Sequence, residues 1–132
     1  MPKKPIADPP CPCGTGASYG ACCRRWHEGA SHLLAPTAEA LMRSRYSAHA
    51  FGLHDYLLAT WHPRTRPASL APPGLAWIGL EVRHSVAIDD DHATVEFVAR
   101  SKLGGRAERL HATSRFERSD GRWFYVDDMK RS

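Results

Sequence analysis

At 132 residues the chain is long enough for one ordinary hydrophobic core and too short for two domains of typical size. A hydrophobic share of 42% with 24% charged residues excludes global disorder and fibrous repeats, and no apolar run approaches the roughly 18 residues that a membrane helix needs. The formal charge of +4 is spread thinly, with short basic pairs at Lys3-Lys4, Arg24-Arg25 and Lys130-Arg131; it suits a solvated surface that attracts acidic partners, and it matches no sequence-specific nucleic-acid reader.

The first ten residues are basic without an apolar run behind them, so no secretory signal is expected and the chain reads as cytoplasmic. Proline, glycine and cysteine then dominate, and all four cysteines fall in Cys11-Pro-Cys13-Gly-Thr-Gly-Ala-Ser-Tyr19-Gly-Ala-Cys22-Cys23. Four soft ligands match a closed tetrahedral Zn2+ site, and Gly14 and Gly16 permit the turn that folds the first pair back onto the second. A reducing compartment favours metal over disulfide, and the adjacent Cys22 and Cys23 pair poorly with each other. A redox dithiol or unpaired thiols are the alternatives, and His27 is an alternative fourth ligand in place of Cys23. The pattern Cys-x-Cys-x8-Cys-Cys with its internal Tyr19 resembles the SEC-C zinc motif, the tail of the translocase motor SecA. That tail binds the chaperone SecB and ribosomes, so the resemblance implies a module for protein or ribosome contact.

The chain divides on this reading into a zinc-binding appendage, residues 1–30, and an α+β body, residues 31–132. In the body, Thr37 is a helix N-cap with Glu39 in the first turn, and the helix runs to Phe51 with Gly52 as its stop. Its apolar stripe is Ala38, Leu41, Met42, Tyr46 and Ala50, bordered by Arg45 and His49. A second helix is expected from His54 to Trp61, ended by Pro63, and a loop follows with Arg64, Arg66, Pro67, Pro72, Pro73 and Gly74. Ile78, Leu80, Val82, Val86 and Ile88 alternate on one face of a long strand that closes at Asp89-Asp90-Asp91. Val95, Phe97 and Ala99 line the next strand, and Gly104-Gly105 supplies hairpin chemistry. The third strand puts Leu110, Ala112, Ser114 and Phe116 on one face and Arg109, His111, Thr113 and Arg115 on the other. After Ser119-Asp-Gly121, the strand Arg122 to Asp128 is apolar on both faces. Short connections predict an antiparallel sheet with the helices on one side.

The segments Pro36-Thr-Ala-Glu-Ala-Leu-Met-Arg-Ser-Arg-Tyr46, Tyr56-Leu-Leu-Ala-Thr-Trp-His-Pro63 with Thr65-Arg-Pro67, and Gly121-Arg-Trp-Phe-Tyr-Val-Asp127 are similar to the YchJ-like bacterial family. With the cysteine motif, the resemblance spans nearly the whole chain. It implies a nuclear transport factor 2-like cone, in which a curved antiparallel sheet wraps helices around a pocket. His111-Ala-Thr-Ser-Arg-Phe116 departs from the His-Glu-x-Ser-x-Phe usual there, so Ala112 leaves no acid at that position.

The expected pocket for a small-molecule ligand gathers Arg45, His49, Trp61, His62, Trp77, His111, Arg115, Tyr125 and Asp127. The same tryptophans equally suit core packing, and strand period sets His111 and Arg115 opposite the core. A small-molecule enzyme in the pocket would use His49, His62 or Asp127 as acid or base beside Arg45 or Arg43. No nucleophile elbow, phosphate loop or carboxylate dyad supports that reading. A binding or adaptor role is the favoured one, with Lys3, Lys4, Arg24 and Arg25 around the zinc module, and metal removal is expected to melt the module and spare the body. Outward-facing Trp123 and Tyr125, or Phe124 and Val126, would leave an apolar patch for a homodimer to cover.

Overall fold

The computed structural model describes residues 9–70 and 76–129; the expectations resting on Lys3, Lys4, Pro72, Pro73, Gly74, Lys130 and Arg131 lie outside them. A short 3-10 turn, Tyr19–Ala21, leads into helix α1 (Arg24–His27), followed by α2 (Ala38–Phe51) and α3 (His54–Ala59). Four strands complete the chain: β1 (Ala76–Asp89), β2 (His92–Leu103), β3 (Arg106–Ser119) and β4 (Arg122–Asp128). They pair in sequence order as one antiparallel sheet, as the short turns require. Among the described residues, no helix is long and apolar enough to cross a membrane.

The caps of α2 are those the sequence specifies. The Thr37 hydroxyl accepts the Ala40 N–H at 3.0 Å, and Gly52 takes the left-handed conformation at φ 71° that closes the helix. Helix α3 is shorter than expected and stops at Ala59. The next residues join the sheet instead: Tyr125 N–H donates to Thr60 O at 2.8 Å, and His62 N–H donates to Tyr125 O at 2.7 Å. Thr60 to His62 thereby cover the free edge of β4.

Pairing of β1 with β2 is interrupted by irregularities at Trp77/Gly79, Val82/His84 and Ala87/Asp89. Each inserts an extra residue, bends the strand and reverses its alternation, which is how the sheet acquires its curve. The uniform apolar face expected for β1 is lost for the same reason. Trp77, Leu80 and Val82 turn inward, whereas Ile78, Val86 and Ile88 are exposed. On β4, the strand named for a dimer patch, Val126 is buried and Trp123, Phe124 and Tyr125 are half-buried.

The core lies between α2 and the concave face of the sheet, where Leu41, Met42 and Tyr46 meet Val95, Phe97 and Phe116. Cys11, Cys13, Cys22 and Cys23 belong to that same core. Packing thus joins the cysteine loop, Cys11 to Cys23, to the core of the body. At Gly14, φ is 85° and an added Cβ would sit 2.9 Å from the carbonyl oxygen of Leu80 in β1. Only glycine lets the cysteine loop approach the sheet so closely.

Candidate functional site

Two sites flank α2. On one side the cysteine loop is folded by Cys11 N–H donating to Ala17 O at 2.9 Å and Tyr19 N–H donating to Pro9 O at 2.9 Å. This turn brings the four sulfurs within 4.8 Å of one another, all buried and none in a disulfide. Cys13 and Cys22 Sγ are 3.5 Å apart, and Cys22 and Cys23 Sγ are 4.0 Å apart. Tetrahedral thiolates at the Zn–S bond length stand about 3.8 Å from each other, so the donor set and its spacing fit a metal ion.

The charge in the cluster is shared unequally. Hydrogen bonds from Cys13 and Cys23 hold the Cys11 thiol far below its ordinary range. The same contacts with Cys11, reinforced by burial, push Cys13 and Cys23 up. Four adjacent buried sulfurs ionise together only around a cation. His27 is not part of the set. A carbonyl oxygen only accepts, so His27 Nε2 donates to Ser44 O at 2.8 Å, which leaves Nδ1 to accept from the Tyr19 hydroxyl at 2.7 Å. Both ring nitrogens are therefore occupied, and the fourth sulfur is that of Cys23.

Helix α2 holds the cluster by its polar face. Ser47 Oγ lies 3.3 Å from Cys11 Sγ, and Arg43 Nη1 donates to Cys13 O at 2.8 Å. Ser44 bonds Leu41 O at 2.7 Å and the Tyr56 hydroxyl at 2.8 Å. Its hydrogen bonds thus link α2 to α3 beneath the cluster, while Arg25 Nε donates to Cys22 O at 2.9 Å from α1.

On the other side of α2 is a cavity of about 270 Å³ between the helices and the sheet. Met42, Leu70, Phe97, Ala99 and Leu110 make its apolar walls, with aromatic rings from Tyr46, Trp61, Trp77 and Tyr125. Arg45 and His49, one helical turn apart on α2, enter the same space. Arg45 is 6% exposed; its Nη1 donates to Leu57 O and to Thr60 Oγ1, each at 2.7 Å. Its guanidinium lies over Tyr125 at 4.5 Å and Trp61 at 5.2 Å. Burial pushes its pKa down to about 10, which leaves it charged at neutral pH. Burial, with the Arg45 charge behind it, pushes His49 down to about 4, so that ring is neutral. His49 packs against Trp77 at 5.7 Å between ring centroids.

Of the expected pocket residues, Arg45, His49, Trp61, Trp77 and Tyr125 do line this cavity, and four do not. His62 sits against Phe124 and bonds the Arg64 backbone. His111 meets Glu96 at 2.6 Å on the outer sheet face, as its strand period requires. Arg115 and Asp127 form a two-pronged pair at 2.6 and 2.8 Å, also outside. The acid at the cavity is instead Asp128, whose Oδ1 accepts from Ser114 Oγ at 2.7 Å and from the Tyr125 hydroxyl at 3.0 Å. Burial, then the Asp128 charge, raises the Tyr125 pKa.

A register shift between Arg115 and Phe116 explains the exchange: Phe116 faces Tyr125, but Arg115 faces Asp127. The extra residue in β4, Val126, reverses the alternation and brings Asp128 to the inner side. Ser114, a hydroxyl on the apolar face of β3, was a readable sign of a polar partner there. Nothing local marked Thr60 or Asp128.

The family model described as YchJ, middle NTF2-like domain, matches residues 37–128. The chain is 54% identical over 129 residues to a UPF0225 protein of Bordetella pertussis, covering 96% of this chain and 97% of that one. It is 56% identical to a UPF0225 protein of Chromobacterium violaceum over 98% of both chains. Among solved structures, a SEC-C motif containing protein from Rhodopseudomonas palustris superposes with a TM-score of 0.80 at 32% identity, covering 92% of this chain and 98% of that one. A second SEC-C motif containing protein, from Psychrobacter arcticus, gives a TM-score of 0.77 at 28% identity, covering 96% and 86%.

Proposed function

The chain belongs to the YchJ-like family, with its NTF2-like domain at residues 37–128, and from that premise we propose that it is a zinc-fastened binding protein whose cavity takes a small molecule. Zn2+ held by Cys11, Cys13, Cys22 and Cys23 acts structurally, because four protein ligands leave no open position for substrate or water. A tetrathiolate site keeps a net negative charge, which Arg25 and Arg43 offset where they flank Cys22 and Cys23. The ion supplies cross-linking of the loop to itself, and the chain's own residues, Ser47, Arg43 and Gly14, transmit that order to α2 and β1. Free, clustered thiols suit a reducing cytoplasm.

The observation that carries the reading is the shared helix: α2 presents one face to the cysteines and another to the cavity. Metal content measured by mass spectrometry on untagged protein, beside a Cys22→Ser variant, tests it. About one zinc per chain, absent from the variant, is expected; metal-free wild type with reactive thiols would make the cysteines a redox set instead.

Protein or ribosome contact through the cysteine module is a second reading, favoured by Arg24 and Arg25 on its outer side. There Arg24 pairs with Glu28 at 2.7 Å, and the Arg25 guanidinium lies 4.6 Å from the Trp26 ring. Co-sedimentation with ribosomes that is lost in an Arg24→Glu, Arg25→Glu variant would support it. Equal sedimentation of the variant would remove those arginines from any such contact. Catalysis has less behind it, since Asp127, the acid first in line for that role, is locked to Arg115 outside the cavity.

A further inference from the structure

Resting on the small-molecule reading above, we propose that the cavity selects a small organic acid: an apolar body held among the aromatic walls and a carboxylate held by Arg45, with the His49 ring as second donor. Arg45 lacks a carboxylate partner in direct contact. A buried guanidinium is normally paired with a carboxylate, because an uncompensated buried charge is costly. Arg45 has only neutral acceptors, the Leu57 carbonyl and the Thr60 hydroxyl, and both are served by Nη1. Among the described residues nothing accepts from Nε or Nη2, the edge with which arginine grips a carboxylate in two parallel hydrogen bonds. Arg115 grips Asp127 by that same edge, Nε and Nη2 together.

The fork is also held in place. Its Nη1 bonds and the Tyr125 and Trp61 rings fix the guanidinium plane, so little side-chain freedom remains to be lost on binding. The His49 ring lies one turn further along α2 in the same cavity and has no hydrogen-bond partner among the described residues; a neutral ring offers one N–H. The deficit in the wall is one of acceptors. The indole N–H groups of Trp61 and Trp77 are buried without a partner as well.

Among the described residues, Asp128 is the carboxylate that lines this space, and its charge acts on Arg45 from a distance rather than through a direct contact. It is exposed, no ion pair within 4.0 Å joins the two, and its Oδ1 is occupied by Ser114 and Tyr125. It leaves the deeper positive charge for a ligand. Size narrows the class further. A cavity of about 150 Å³ accepts benzene, so about 270 Å³ has room for one ring or a short chain with an acid arm.

The test is a charge series on one body, with the full metal-loaded chain: 3-phenylpropionate, 3-phenylpropanamide and 3-phenylpropylamine. Each is titrated by calorimetry and located by NMR shift changes at Phe97, Ala99 and Leu110. The acid is expected to bind at least about tenfold more tightly than the amide, and the amine most weakly. An Arg45→Gln variant that keeps its circular dichroism should lose the preference for the acid. If that variant does not fold, the series on the wild type decides alone. Amide or amine bound as well as the acid, within the cavity, overturns the acid assignment and leaves the small-molecule reading standing. If none of the three perturbs the cavity at millimolar concentration, both fall.

Discussion

The two faces of α2 differ in how completely their polar groups are satisfied. On the cysteine side, Ser44, Ser47 and Arg43 all have protein partners, and those partners tie the loop, α3 and the helix into one network. On the cavity side, only one nitrogen of the Arg45 guanidinium is hydrogen bonded, and the His49 ring has no such partner among the described residues. A saturated face is built to hold structure, and an unsaturated one is built to receive something. The contrast also redistributes the roles expected from the sequence, because the cysteine module is part of the core rather than a tail on it.

The largest effect that would break this comparison comes from the metal. A Cys13→Ser variant should lose its metal and, because Cys13 is 0% exposed in the core shared with Val95 and Phe97, lower the thermal stability of the whole domain by several kcal/mol. Circular dichroism melting should show one shifted transition. An unshifted body transition would restore the picture of a detachable module.

Gly14→Ala acts on the same coupling without touching a ligand. The left-handed backbone and the 2.9 Å approach to Leu80 O should cost about 2 kcal/mol. Denaturant unfolding of the metal-loaded protein measures it, and an unchanged midpoint would mean that the loop does not need that contact.

Acid titration sharpens the cavity side. The folded-state pKa of His49 is about 4, below the unfolded value of 6.5. The unfolded chain therefore binds the extra proton first. This contribution to stability is present above pH 6.5 and is lost as pH falls towards 4. A His49→Gln variant should lose less stability over that window than the wild type does. Equal losses in urea melts would place the acid sensitivity elsewhere, such as the cysteines.

The smallest effect is expected at Asp127. Its exposed pairing with Arg115 lies outside the cavity, so Asp127→Asn should leave both thermal stability and probe binding unchanged. A marked loss of binding would return Asp127 to the site.

What the sequence made legible was local. Thr37 and Gly52 bound α2 because capping depends on neighbouring residues alone, and Gly104-Gly105 gives the β2–β3 turn for the same reason. The four cysteines declare a ligand set by their type and spacing. Arg45 and His49 at the edge of an apolar stripe were readable as cavity residues for similar reasons of helical period. The misplaced acid had a different cause. Whether Asp127 or Asp128 faces inward depends on the irregularity opposite Arg115 and Phe116, a property of two paired strands that no single-strand period contains. The exposed half of β1 has the same origin in its interrupted pairing with β2. Integration of the cysteine loop depended on Ser47, Arg43 and Leu80, residues far away in sequence whose side chains or carbonyls become partners only after folding.

Amide hydrogen exchange on metal-loaded and chelated wild type tests the central claim, that metal site and core are one unit. Chelation is expected to lower protection in residues 11–23 and, together with it, at Val95 and Phe97 in β2. Protection lost in residues 11–23 alone, with Val95 and Phe97 unchanged, would contradict it.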